Sequence, residues 1–288
     1  MKALLPGVAL LCLTATIAAK DLPLPDVPAD LRTPAARADY VGAHFWDAMD
    51  FADTAALDAD EMAQNVANFL SVFPIMSGDS ARHSAFASAI NASKAAEPSA
   101  LLLSQTVENY LFDTASPMRD EKLFVVFLEE LLKAGTPDSV RTQWLLEMTA
   151  KNMEGTKCTD FTFTDRKGHR RNLYGCLGKP TILFFYDPDC DLCHAAADEM
   201  TRDVLLSTRI EQGRAAIIAI NPGELATWKE SRAAVPDSWI DGCDGGKIDT
   251  DELYMISEFP EFYLLAPDGT VVLKNAPLPA IVAALMRM

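Results

Sequence analysis

The sequence predicts an all-α region followed by an α/β domain, in which a mixed central sheet is flanked by helices. Up to about residue 152, apolar residues recur at helical spacing behind capping residues. After residue 155, short apolar runs alternate with helical segments. A Cys-x-x-Cys pair, Cys190 and Cys193, lies between the most apolar of these runs and a helix. The boundary between the two parts is placed at residues 152/153.

Length and charge restrict the possible functions. The chain has 288 residues, of which 49% are hydrophobic, so it is long enough for two domains with buried cores. Its formal net charge of −16 repels phosphate backbones and anionic lipids. We therefore expect no nucleic-acid partner.

Residues 1–19 have the pattern of a secretory signal peptide. Lys2 precedes an apolar run over residues 3–17, and the small residues Ala18 and Ala19 follow it. A membrane anchor is the alternative, but this run is at the short limit for spanning a bilayer. The pattern predicts export, to the periplasm, where disulfides can persist.

The all-α region is expected to cover residues 20–152. Thr33 and Pro34 have the pattern of an N-cap followed by proline at the first helical position. Later helices are predicted at about 58–72, 79–94, 99–112, 119–134 and 137–152, with caps at Asp58, Ser99, Ser116 and Thr136. No chemistry is evident here, so docking of a protein partner is the role we expect.

The α/β domain is expected to cover residues 153–288. The continuous apolar run at 181–186 predicts a buried central strand, and residues 215–220 predict a second one. Hairpins are predicted around the turns at 165–168 and 267–269. Helices are predicted at about 191–206, 224–234 and 278–286.

The position of the cysteine pair favours thiol chemistry. Cys190 follows a strand and a short loop, so its sulfur faces the free N–H groups and the positive dipole end of the next helix. That environment stabilises the thiolate, which is the reactive form. Cys193 lies one turn further into the helix and is more sheltered. Cys190 is therefore the candidate nucleophile and Cys193 the candidate resolving thiol.

Charged side chains around Cys190 are expected to tune its pKa. Asp187, Asp189 and Asp191 surround it, and a negative charge about 7 Å away opposes a thiolate by roughly 0.5–2 kcal/mol. A less stabilised reduced state makes a better reductant. His194, when protonated, acts in the opposite direction. This arrangement predicts a reducing pair.

Pro260 immediately precedes an apolar strand, where a proline belongs in the entering loop. With Cys-x-x-Cys after a central strand and the late Pro-Asp-Gly hairpin at 267–269, the sequence resembles the thioredoxin-like family, especially exported TlpA/ResA-type thiol–disulfide oxidoreductases. The resemblance implies a cis-proline at Pro260 facing the dithiol, with Phe259 and Pro260 binding substrate. It also implies a protein disulfide as substrate, a membrane or periplasmic thiol as electron partner, and neither an organic cofactor nor a metal.

The chain also departs from that family. Asp189 replaces the usual Trp before the first cysteine, and Phe259 replaces the usual Thr before the proline. The strand at 181–186 lacks the buried acid of thioredoxin itself. The helical region resembles a domain of unknown function that is often fused ahead of such modules.

Other interpretations of the pair fit less well. Haem attachment through Cys-x-x-Cys-His would need room beside His194, and zinc would need about four ligands. A peroxiredoxin would have Thr or Ser at position 187, which is Asp. The main alternative is a non-catalytic thioredoxin-like binding scaffold, in which Cys190 and Cys193 form a static disulfide.

Three further cysteines follow the predicted signal peptide. Cys158 and Cys176 lie near the base of the first predicted hairpin, so they form either a disulfide across it or two small buried thiols. Cys243 is expected to be a buried free thiol.

Overall fold

The computed structural model describes residues 22–231 and 235–288. The predicted signal peptide, residues 1–19, lies outside this range. The chain divides into two compact units, Met1–Ala134 and Gly135–Met288. Within the described residues, no helix combines the length and the apolar character needed to cross a membrane.

The first unit is all-helical, as the sequence predicts. Its helices are α1 (Pro34–His44), α2 (Ala59–Leu70), α3 (Asp79–Ser93), α4 (Glu97–Leu111) and α5 (Glu121–Ala134). Asp58 caps α2 by accepting the Glu61 N–H at 2.8 Å. The cap predicted at Ser99 is wrong, because α4 already begins after Ala96 and the Ser99 hydroxyl instead donates to a loop carbonyl, that of Phe51.

Aromatic side chains fill the core of the first unit. The buried Phe69 ring has its centroid 5.4 Å from that of Phe45, 5.0 Å from Phe73 and 5.9 Å from Phe86. Since fully burying a phenylalanine contributes about 1.5–3 kcal/mol, this cluster is a major stabilising element of the helical unit.

The second unit contains the sheet. Its strands are β1 (Thr162–Asp165), β2 (Arg170–Asn172), β3 (Thr181–Phe185), β4 (Ala216–Asn221), β5 (Ile240–Cys243), β6 (Glu261–Leu265) and β7 (Val271–Lys274). Its helices are α6 (Ser139–Ala150), α7 (Asp191–Arg202), α8 (Val204–Glu211), α9 (Leu225–Glu230), α10 (Lys247–Thr250) and α11 (Leu278–Arg287). The helix predicted over 191–206 is two helices, since Asp203 ends α7 and caps α8.

Strand β5 is absent from the sequence-based prediction. Its four residues, Ile-Asp-Gly-Cys, have neither an apolar run nor a clear alternation. Gly242 nevertheless fits this strand, because a Cβ at this position would overlap the Phe163 ring of β1. β5 joins the central strands to the β1–β2 hairpin, pairing parallel with β4 and antiparallel with β1.

The described residues form a seven-stranded mixed sheet in the order β2-β1-β5-β4-β3-β6-β7. β3 pairs parallel with β4, while β6 runs antiparallel to β3 with Phe185 opposite Glu261. The end of β3 therefore lies beside the start of β6. This register brings the loop after β3, which carries Cys190, next to the loop before β6, which carries Pro260.

Apolar side chains cover both faces of the sheet. On one face, Ile182 and Phe184 of β3 pack in a cluster with residues of α7 and α11, including Cys193 and Ile281. On the other face, Leu183 and Phe185 pack with residues that include Tyr254. Alternate residues of β3 therefore face opposite cores, as a buried central strand requires.

Helix α6 belongs to the compact unit that holds the sheet. The Lys274 ammonium of β7 donates to the carbonyls of Thr149, at 2.8 Å, and Lys151, at 3.0 Å, at the end of α6. Asn152 then donates to the Leu253 carbonyl at 2.9 Å. The domain boundary at 152/153 stays a prediction, but the contacts that stabilise this unit begin before it.

We expect a fragment of residues 135–288 to be more stable than one of residues 153–288, by about 2 kcal/mol, because the shorter one loses several hydrogen bonds and buried apolar groups. Chemical denaturation of both fragments measures the difference. Lys274→Met is the matched control: it should destabilise the longer fragment more than the shorter one, because two acceptors of Lys274, the carbonyls of Thr149 and Lys151, lie before residue 153. Equal stability of the two fragments would contradict this account.

Candidate active site

The loop between β3 and α7 is shaped by its own aspartates. One Asp187 carboxylate oxygen accepts the Asp189 N–H at 2.8 Å, and the Asp187 carbonyl accepts the Cys190 N–H at 3.2 Å. In turns, an Asp carboxylate typically accepts a hydrogen bond from the backbone N–H of the residue two positions later. Asp187 therefore helps to fix the turn that delivers Cys190 to the start of α7.

Cys190 is the N-cap of α7. Its sulfur accepts the backbone N–H of Cys193 at 3.1 Å, in the place that a serine or aspartate oxygen usually takes. The two sulfur atoms are 2.6 Å apart. The Cys190 sulfur therefore lies at the positive end of the helix dipole and beside the Cys193 N–H, a setting in which nucleophilic cysteines are found.

Cys193 is the sheltered member of the pair, with 1% of its surface exposed, whereas Cys190 is half-buried. Burial, together with the neighbouring Cys190 sulfur, raises the pKa of Cys193 to about 12. Cys193 therefore stays a protonated thiol near neutral pH. The pair has one accessible sulfur at a helix N-terminus and one buried sulfur behind it.

Alkylation should distinguish the two sulfurs. Because the thiolate is the nucleophile and the pKa of Cys193 is raised to about 12, we expect iodoacetamide to modify Cys190 before Cys193 in the reduced folded protein at neutral pH. Cys193 should become more reactive only as the pH rises toward that value. Mass mapping of quenched samples measures this order. Faster modification of Cys193 in the folded protein would contradict the assignment, and the unfolded chain serves as the control.

The loop before β6 faces the dithiol. The Phe259–Pro260 peptide bond is cis. The Phe259 carbonyl oxygen lies 3.8 Å from the Cys190 sulfur. The Phe259 backbone is therefore close to the Cys190 sulfur, where an extended peptide bound at that sulfur would also pair with it.

The predicted pKa-tuning residues lie along the same loop and helix start. Asp189, Asp191 and His194 are exposed. The His194 ring contacts the Pro188 carbonyl through Nε2 at 2.7 Å, so Nε2 carries the donated hydrogen. This bond ties the first turn of α7 to the loop that precedes Cys190.

Strand β3 contains aromatic rings and no acidic side chain. Phe184 stacks on Phe262 with centroids 5.0 Å apart and on Tyr186 at 5.4 Å. No carboxylate of β3 can therefore take the proton of Cys193.

Sequence reasoning missed a buried polar network behind the loop. The Tyr186 hydroxyl donates to Asp241 at 2.6 Å and accepts the Trp228 indole N–H at 2.9 Å. Arg166 donates to the other Asp241 oxygen at 2.7 Å, and its guanidinium lies 3.9 Å from the centroid of the Trp228 ring. These residues are scattered over 75 positions of the chain, so no local pattern could reveal them. The network fixes the end of β3 just before the cysteine loop.

The other cysteines of the described residues are free thiols. Cys158 and Cys243 are buried and Cys176 is half-buried, so the alternative of a Cys158–Cys176 disulfide is not the one found. Burial raises the pKa of Cys158 and of Cys243. Residues 22–231 and 235–288 contain no group of three or more His, Cys, Asp or Glu side chains that could hold a metal ion.

Comparisons with known proteins agree with this architecture. Residues 11–152 match a family model described as a domain of unknown function, DUF5106. The crystal structure of a thioredoxin-like protein from Bacteroides caccae superposes with a TM-score of 0.81 at 27% identity, covering 94% of this chain and 99% of that chain.

Two shorter structures also match. The C-terminal domain of an uncharacterized protein from Bacteroides fragilis is 30% identical, with 48% of this chain and 99% of that chain covered and a TM-score of 0.46. The thioredoxin domain of a thiol-disulfide oxidoreductase from Bacteroides vulgatus is 21% identical, with 47% and 96% covered and a TM-score of 0.39. No curated protein matches the chain.

The whole-chain match agrees with a helical region followed by a seven-stranded mixed sheet flanked by helices. The chain therefore has a thioredoxin-like fold, preceded by an N-terminal all-helical region matched by DUF5106.

Proposed function

We propose that this protein is an exported thiol–disulfide oxidoreductase that reduces protein disulfides through Cys190 and Cys193. One observation carries the proposal: a half-buried cysteine caps a helix, accepts the N–H of a buried second cysteine, and lies 2.6 Å from its sulfur. This is the asymmetry that dithiol exchange requires.

The reaction proceeds in two displacements. The Cys190 thiolate attacks one sulfur of the substrate disulfide, whose S–S bond breaks, and the released substrate thiolate takes a proton from water. Cys193 then gives its proton to water and attacks the Cys190 sulfur, and the bond from Cys190 to the substrate breaks; the second substrate thiolate leaves and takes a proton from water. Two electrons pass from the cysteine pair to the substrate, which leaves a Cys190–Cys193 disulfide. A thiol donor reverses these steps on the enzyme and restores the dithiol.

The direction of transfer rests on charge. Asp187, Asp189 and Asp191 flank Cys190 in the sequence and all three lie within the loop or the first turn of α7. Their negative charges oppose the Cys190 thiolate and so partly cancel the effect of the helix dipole. A destabilised reduced form is a stronger reductant, which favours a TlpA/ResA-like reductase over an oxidase.

The N-terminal sequence supports the proposed export. Residues 1–19 have the pattern of a signal peptide, which favours a periplasmic location and a membrane or periplasmic thiol as electron donor. Phe259 and Pro260 are proposed to line the substrate groove, with the Phe259 backbone pairing with the bound peptide. The helical region is proposed to dock a protein partner.

Turnover tests the proposal. The purified protein, supplied with a slow dithiol as electron source, should accelerate the reduction of insulin disulfides well above the rate of the dithiol alone. Reduction that remains at the uncatalysed rate, with a Cys190–Cys193 bond that persists through the assay, would instead support the binding-scaffold alternative.

A further inference from the structure

A carboxylate is buried directly beside the substrate-facing loop. Glu261, the first residue of β6, follows Pro260 and has 1% of its surface exposed. The rest of this strand is Phe-Tyr-Leu-Leu, all buried. A buried charged group in an apolar strand is costly unless it makes specific hydrogen bonds, so its presence calls for a structural or functional reason.

One bond of this carboxylate closes the loop that faces the dithiol. Its Oε2 accepts the backbone N–H of Ser257 at 3.2 Å, four residues back in the chain. The residues enclosed by this bond include Phe259, whose carbonyl oxygen lies 3.8 Å from the Cys190 sulfur. The Glu261 carboxylate therefore holds together the loop whose Phe259 carbonyl lies near the Cys190 sulfur.

The alternation of β6 places the Glu261 side chain on the face of the sheet opposite Cys193. Side chains alternate along a strand, and the second and fourth residues after Glu261, Tyr263 and Leu265, belong to the core on the face opposite Cys193. The carboxylate therefore lies on that opposite face, beneath the loop.

We propose that Glu261 is a positioning residue: it holds the 257–260 loop so that the Phe259 main chain meets an extended peptide beside Cys190. This rests on the proposed function and deepens it, because it assigns substrate affinity to a peptide contact that a small disulfide does not make. Replacing Glu261 should accordingly weaken the reduction of protein disulfides and leave the reduction of small disulfides unchanged.

The test compares Glu261→Met with Glu261→Gln in the full chain. Both variants are neutral and similar in length, but only glutamine keeps an oxygen that can accept the Ser257 N–H. Insulin serves as the protein disulfide and hydroxyethyl disulfide as the small one. Amide hydrogen exchange at Ser257 reports on the bond itself and does not depend on turnover.

For Glu261→Met we expect KM for insulin to rise about five- to tenfold, the contribution of roughly one hydrogen bond, with kcat unchanged. The hydroxyethyl disulfide rate should be unchanged, and the Ser257 amide should exchange faster. Glu261→Gln should match the unsubstituted protein in all three readouts.

An unchanged Ser257 exchange rate in Glu261→Met, or an equal loss with both substrates, would overturn the proposal. So would a rise in KM for Glu261→Gln as large as that for Glu261→Met. Failure of the unsubstituted protein to reduce hydroxyethyl disulfide would refute the proposed oxidoreductase function, whereas the exchange readout would still decide whether Glu261 holds the loop.

Discussion

Replacing Cys190 with serine should abolish reduction of protein disulfides, because a hydroxyl cannot form the mixed disulfide. Replacing Cys193 with serine should have a different result. Cys190 would still attack, since it caps α7, but nothing would expel it from the substrate. We therefore expect Cys193→Ser to accumulate as a covalent complex with substrate, visible as a mass increase that a reductant reverses.

Cys176→Ser is the matched control, because Cys176 is also a half-buried free thiol but lies in a different part of the second unit, after the β1–β2 hairpin. It should retain full activity. Two results would contradict the assigned roles. One is a Cys190→Ser variant that still reduces insulin. The other is a covalent complex with substrate that accumulates in Cys190→Ser and not in Cys193→Ser.

Asp241→Ala should lower the free energy of unfolding by about 2–3 kcal/mol, since it leaves the buried Tyr186 hydroxyl and the partly buried Arg166 guanidinium without their acceptor. Asp241 is buried and accepts hydrogen bonds from Arg166, at 2.7 Å, and from the Tyr186 hydroxyl, at 2.6 Å. Tyr186→Phe should cost less, about 1–2 kcal/mol, because it removes one hydroxyl with its two hydrogen bonds but leaves the Arg166–Asp241 pair in place. Chemical denaturation of each variant measures these differences.

An exposed ion pair supplies the comparison. Asp198 and Arg202, one turn apart on α7, are 2.8 Å apart but largely exposed. Surface pairs contribute about 0–1 kcal/mol, so Asp198→Ala should have little effect. If Asp241→Ala destabilises the protein no more than Asp198→Ala does, the network does not stabilise the end of β3 as described.

The elements that carry the site could be predicted from the sequence because their signals are local. The apolar run that forms β3 and the cysteine that begins α7 are adjacent in the chain, and each has a strong signal of its own. The same holds for the turn that joins β6 to β7. Local patterns of this kind depend on residues that are neighbours in the sequence as well as in space.

The features that were missed depend on distant residues. Strand β5 has a glycine at position 242 because the Phe163 ring of another strand occupies the space of its side chain. The Tyr186–Asp241 bond joins residues 55 positions apart. The buried state of Glu261 could not be predicted, because a single acidic residue at a strand's start usually lies at the surface. The one sequence feature that points to Glu261 is an acidic residue at the start of an otherwise apolar strand.

The most direct test of the central claim is the redox equilibrium of the purified protein without its first 19 residues. The protein is held in graded dithiol or glutathione buffers, its thiols are trapped by alkylation, and the modified positions are located by mass. We expect a reversible Cys190–Cys193 couple near about −250 mV or lower, in the range of thioredoxin. A value near about −180 mV or higher would contradict the reductase direction. A pair that never reopens would contradict a catalytic role altogether.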